Sequence, residues 1–174
     1  MIVFAAVVAS FGFQNVDLGI TEARLRSIDP SIACTGEIRF LDVTPEQTAA
    51  GTRKCTPTEM IGPSRVAKWA SAGNYSGSIR YYVTDGVVAR IEFWPDYPAA
   101  DAVLAGLIQK YGQPKELKRG MTEAIGGRQV PSVTAIWRQG EQRIELRAPS
   151  SNIDKMTVIY QGPIETERVV PAQM

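Results

Sequence analysis

Hydrophobic residues recur along this chain with two different spacings, and the spacing predicts the element each time. Two stretches carry them every three or four positions, as one face of a helix requires. In the first, Leu25 and Ile28 share a side, Thr21 is placed to cap the free amides, and Glu22 suits the positive first turn. Asp29-Pro30 ends it, because the residue before proline avoids the helical region. In the second, Asp101 to Tyr111, the series Leu104, Leu107, Ile108 and Tyr111 forms one face, and Gly112 and Pro114 supply the stop.

Elsewhere the period is two. Ile79, Tyr81 and Val83 alternate with polar or amphipathic neighbours, as do Val87, Ala89, Ile91 and Phe93 after a turn, which predicts a hairpin over 79–94. Side-chain parity selects a three-residue Thr84-Asp85-Gly86 loop, with Val83 opposite Val87, Tyr81 opposite Ala89 and Ile79 opposite Ile91. A second hairpin spans Val133 to Ala148 about a Gly140-Glu141 turn of type II′. It pairs Trp137 with Ile144, Ala135 with Leu146 and Val133 with Ala148. Glu37 to Val43 reads as a strand with imperfect alternation, and Met156 to Gln161 as a last strand with Met156, Val158 and Tyr160 on one face. The stretch 61–74 fits a helical turn and a strand equally well, and Gly120, Gly126 and Gly127 read as a loop.

These elements imply an α+β fold, an antiparallel sheet with helices packed on one face. Their order suggests two helix-plus-hairpin units, with helices starting at 21 and 101 and turns at 85 and 140, the first unit enlarged around the cysteines. The length suits one domain, taken as 11–164, preceded by residues 1–10 and followed by a tail at 165–174.

Leu18-Gly19-Ile20-Thr21-Glu22 followed by Leu25, and Leu107 through Lys110-Tyr111-Gly112-Gln113-Pro114, resemble the helix-start and helix-end signatures of small exported bacterial domains. Among these are the beta-lactamase-inhibitor-protein fold and the outer-membrane SmpA/OmlA lipoproteins. The resemblance implies helices on one face of an antiparallel sheet and action through protein–protein contact instead of catalysis. No cysteine follows the N-terminal apolar run, so no lipid anchor is expected on this form, and no family residue carries over.

Composition narrows the chemistry. There is no histidine, which excludes Ser-His-Asp and Cys-His nucleophile systems, histidine zinc sites and histidine-ligated haem. With 44% hydrophobic residues and a net charge of +1, the chain is neither disordered nor a basic nucleic-acid arm, and no nucleic acid is expected as a partner. No metal-ligand spacing, P-loop or cofactor motif is present, so the expected cofactors and metals are none. Asn74-Tyr75-Ser76 matches a glycosylation acceptor, relevant only on a eukaryotic secretory route.

The run Ile2 to Ala9 is too short to span a bilayer, which takes about 20 residues. It fits the apolar region of a signal peptide cut before Phe11, with an N-terminal core strand as the alternative. Cys34 and Cys55 lie in a loop-rich stretch and are expected to form a disulfide, the alternative being two buried thiols. Together these point to a periplasmic or secreted protein.

With the hairpins' apolar positions turned inward, the opposite face carries Arg80, Tyr82, Arg90, Trp94, Arg138, Arg143 and Arg147, opposed only by Glu92 and Glu145. Arg, Tyr and Trp are enriched at interaction hot spots, although long polar side chains also cover ordinary solvated sheets. The expected function is therefore a non-catalytic binding module that holds an acidic protein or an anionic envelope polymer on this face. Its arginines are expected to be replaceable without loss of the fold. The alternative is a small hydrolase, with Glu92 and Glu145 as the least implausible acid/base pair, or a carrier with a cleft between helices and sheet.

Overall fold

The computed structural model describes residues 11–39, 41–72, 75–123, 127–150 and 153–163. The N-terminal run 2–9, the tail 165–174, and Asn74 of the glycosylation match fall outside them.

The chain opens with a small hairpin, β1 (Gly12–Phe13) and β2 (Val16–Asp17), followed by α1 (Glu22–Ile28) and β3 (Ile32–Cys34). A short α2 (Pro45–Ala49) precedes β4 (Arg53–Ile61), β5 (Ser64–Ala67), β6 (Ala70–Ala72), β7 (Tyr75–Thr84) and β8 (Val87–Pro95). Then come a 3-10 turn at Tyr97–Ala99, α3 (Ala100–Tyr111), β9 (Glu116–Glu123), β10 (Gln129–Gln139), β11 (Gln142–Ala148) and β12 (Thr157–Gln161).

The main sheet is antiparallel, with strand order β3-β4-β7-β8-β12-β11-β10-β9, and β5 and β6 paired onto β4 and β7. That order reads as two four-stranded meanders, each preceded by a helix and joined through their last strands, β8 and β12. Each half of the strand order thus follows a helix with four strands, where a helix with a hairpin was expected. The hairpin equivalent to β7–β8 is β11–β12, so matching the turns at 85 and 140 compares different parts of the unit.

Both helices end as their residues dictate. The Thr21 hydroxyl accepts a hydrogen bond from the Arg24 amide at 3.2 Å, and Gly112, at φ 77°, closes α3 in a conformation that favours glycine. Leu25 of α1 and Leu104 and Leu107 of α3 join one buried cluster with Ile79, Tyr81, Val83, Ile91, Phe93, Val133, Ala135, Trp137, Ile144, Leu146, Val158 and Tyr160. Phe11, Phe13, Val16 and Leu18 belong to it too, and the Phe13 ring lies 4.7 Å from that of Phe93.

Several expectations are corrected. The first hairpin turns on two residues, Asp85 and Gly86, both at positive φ, with Thr84 opposite Val87 and Val83 opposite Val88. A bulge at Ala89 then restores parity, so Tyr81 faces Ile91 and Ile79 faces Phe93. An extra residue in the strand does what a longer loop was expected to do. The described residues of 37–43 form no strand. Gly36 turns the backbone at φ 90°, the Glu37 amide bonds back to the Cys34 carbonyl, and Ile38 and Leu41 cover Ala33 at a spacing of three. Gly120 lies within β9 and not in a loop, and the ambiguous stretch 61–74 contributes β5 and β6. The second hairpin has all three expected pairs. Cys34 and Cys55 sit directly opposite each other in β3 and β4 and are disulfide-bonded.

Candidate functional site

Successive side chains of a strand point to opposite faces, so the register fixes which residues share the face away from the buried cluster. Three cross-strand rows run over it. The first places Lys54, Tyr82, Arg90, Gln161, Arg143 and Arg138 side by side on β4, β7, β8, β12, β11 and β10. A second row holds Arg80, Glu92, Ile159, Glu145, Ile136 and Glu116. In the third, Ser78 stands opposite Trp94, and Thr157, Arg147, Thr134 and Lys118 continue across the other half. All seven residues expected from parity therefore lie on one face.

Two buried carboxylates organise them. Glu92 is only 6% exposed; one oxygen pairs with the Arg90 guanidinium and the other accepts the Tyr82 hydroxyl at 2.9 Å. Glu145, 7% exposed, pairs through one oxygen with Arg143 at 2.5 Å and through the other with Arg147. Charge-assisted hydrogen bonds of this kind fix a guanidinium's direction as well as its position. Ring stacking adds to the order, with the Arg80 guanidinium 4.7 Å from the Trp94 ring and that of Arg90 5.6 Å from the Tyr82 ring. Arg138 and Arg143 stand directly opposite each other, an unfavourable like-charge pair that Glu145 and Glu116 relieve.

The environment is partly desolvated. Burial pushes the Tyr82 phenol up to about 12, and the negative charge of Glu92 adds to it. Burial also lowers the Lys54 ammonium, helped by the Arg80 charge and opposed by Glu92 and Asp42. The Nε atoms of Arg90 and Arg143 are buried and have no hydrogen-bond partner.

The sequence reading missed Lys54, Lys118, Glu116 and Gln161. Lys54 was findable, since it neighbours the inward-facing Cys55, whereas β9 is almost wholly exposed and its two large apolar residues, Leu117 and Met121, are too few to set a period.

Glu92 and Glu145, the pair named for acid/base work, are not neighbours. β12 lies between their strands, about 10 Å from one to the other, and both oxygens of each are engaged. A second charged cluster, Glu22, Glu37, Arg26 and Arg53, is equally committed. Arg26 bridges both carboxylates at 2.9 and 2.6 Å, and Arg53 does so at 2.8 and 3.0 Å. Burial pushes the Glu37 carboxyl up, but hydrogen bonds from Arg26 and the Cys34 amide outweigh this and hold it below the ordinary value. Glu22, Cys34 and Glu37 lie close enough to suggest metal ligands, yet the Cys34 sulfur is in the disulfide and the carboxylates face arginines.

Among the described residues, the segment between the cysteines reaches the same face at its β3 edge. There Ile38 and Leu41 pack on Ala33, and Lys54 reaches the Asp42 carbonyl. No described helix is long and apolar enough to cross a membrane. No family model matches this chain, and the searches of curated proteins and of solved structures likewise find no match.

Proposed function

We propose that this chain is an exported, non-catalytic binding module whose arginine-rich sheet face holds an acidic segment of a partner protein. The observation that carries this reading is the row Arg90, Gln161, Arg143 and Arg138, set across four adjacent strands, in which Glu92 holds Arg90 and Glu145 holds Arg143 from the neighbouring row. Arginine side chains fixed in this way lose little further freedom on binding, which is where long cations usually spend affinity. Tyr82, Trp94 and the stacked Arg80 supply planar surface beside the charges, and these are residue types enriched at protein–protein hot spots.

Both helices lie against the other side of the sheet in this reading, leaving the arginine face open. Export, to the periplasm or the medium, is supported by the disulfide, since such bonds persist in oxidising compartments. A signal-peptide cut before Phe11 would leave the β1–β2 hairpin whole. The resemblance to small exported bacterial domains of the beta-lactamase-inhibitor or SmpA/OmlA kind agrees with action by contact.

The test is binding of a defined acidic polypeptide, poly-glutamate, by the purified protein and by an Arg138→Ser/Arg147→Ser variant. An anionic polysaccharide serves as the competing probe. Preference for the polysaccharide would make the partner an envelope polymer instead.

A further inference from the structure

We propose a second binding site, on the side of the sheet away from the arginines: a cleft that takes the alkyl chain of a single-chain carboxylate amphiphile, with Lys110 at the carboxylate. The cleft lies between α3 and the β1–β2 hairpin and has a volume of about 400 Å³, within the usual range for small-ligand sites. Phe13, Phe93, Val158 and Tyr160 line it, all members of the buried cluster, so its interior is apolar and aromatic.

Gly106 is the first pointer to a ligand. Glycine in a helix interior weakens the helix relative to alanine, so it needs a reason. No close packing supplies one: a Cβ built at Gly106 meets nothing within 4 Å. What glycine does there is keep the wall of the cleft open. Ala102, Gly106 and Lys110 follow one another along that wall over two turns of α3, about 12 Å, which sets the length of chain accommodated.

Lys110 is the second pointer, and it is independent of the first. Its ammonium donates to the Gly12 carbonyl at 3.3 Å, and among the described residues no carboxylate lies within ion-pair distance. An ammonium with no carboxylate partner among the described residues, at one end of an apolar cleft, complements a molecule that is apolar along its length and anionic at one end. A cationic head would be repelled, and a neutral one would gain only the apolar contacts.

Calorimetric titration of the purified full chain with decanoate, octanoate, decanol and decyltrimethylammonium, below their micelle concentrations, tests this. Decanoate should bind one to one, with affinity falling about three- to fourfold per methylene removed, as burial of each methylene implies. Lys110→Gln should weaken decanoate about fivefold and leave decanol unchanged. Gly106→Leu, which favours the helix and fills the cleft, should abolish binding of both while thermal melting shows the fold kept. The Arg138→Ser/Arg147→Ser variant should bind decanoate as the parent does, which separates this site from the arginine face. Absence of decanoate binding, equal binding by the Gly106→Leu variant, or a preference for decyltrimethylammonium would overturn the proposal.

Discussion

Glu92 and Glu145 stand on either side of Ile159, each its direct cross-strand neighbour, and together their four carboxylate oxygens engage Arg90, Tyr82, Arg143 and Arg147. The two acids are therefore the frame on which the basic face is built. Arginines of this face are not interchangeable, because some also satisfy a buried carboxylate and others do not.

Arg90→Ser should cost about 1–3 kcal/mol, since it leaves the buried Glu92 with only the Tyr82 hydroxyl. Arg138→Ser should stay within about 0.5 kcal/mol, because Arg138 and its partner Glu116 are both about half exposed. Adding Glu92→Gln to Arg90→Ser should recover part of the loss. Denaturant unfolding of the three variants decides it; equal stability of Arg90→Ser and the parent would show that Glu92 does not need its arginine. The expectation that all these arginines are dispensable to the fold is what the Arg90→Ser variant tests.

Leu107 is 6% exposed and joins α3 to the buried cluster. Leu107→Ala should destabilise the chain by about 2–5 kcal/mol, as large-to-small changes in cores do. A loss below about 0.5 kcal/mol would mean that α3 is not part of the core.

Intact-mass measurement of unreduced protein after alkylation should find no free thiol, because Cys34 and Cys55 are bonded. Replacing both with serine should cost about 3 kcal/mol, the value expected for closing a loop of this length. Two alkylated cysteines in protein made under oxidising conditions would remove the bond and the main support for export.

Alkaline pH gives a separate test. Burial raises the phenol pKa values of Tyr81, Tyr82 and Tyr160, Tyr82 to about 12. A raised folded-state pKa contributes stability that is complete below the unfolded value near 10 and is lost as pH rises toward the folded value. Stability should accordingly fall above about pH 10, and tyrosinate absorbance from these three residues should appear only as circular dichroism reports unfolding. Ionisation of all six tyrosines in the folded protein would contradict the burial.

Parity along strands made the arginine face legible, because a half-buried strand writes its orientation into every second residue. The second hairpin was readable to the residue for the same reason. In the first hairpin, Ala89 hid a bulge, and a bulge and a longer loop have the same parity. Glu37–Val43 misled because Ile38, Phe40 and Leu41 suggest a strand, whereas Ile38 and Leu41 cover Ala33 from an irregular segment. The frame role of Glu92 and Glu145 was out of reach, since it depends on β8 meeting β12, a pairing distant in sequence. Gly106 was visible in the sequence, but its meaning needed the cleft.

The most direct test of the account is the salt dependence of poly-glutamate binding, measured for the parent and for Arg138→Ser/Arg147→Ser, which keeps the Arg90–Glu92 and Arg143–Glu145 pairs and removes only the second arginine of Glu145. The account predicts that the parent binds and loses affinity as salt rises, because exposed charges are screened over about 8 Å at physiological ionic strength. It further predicts that the double variant binds about three- to tenfold more weakly with a shallower salt dependence, while circular dichroism shows the fold kept. Equal affinity and equal salt dependence in the two proteins would contradict it.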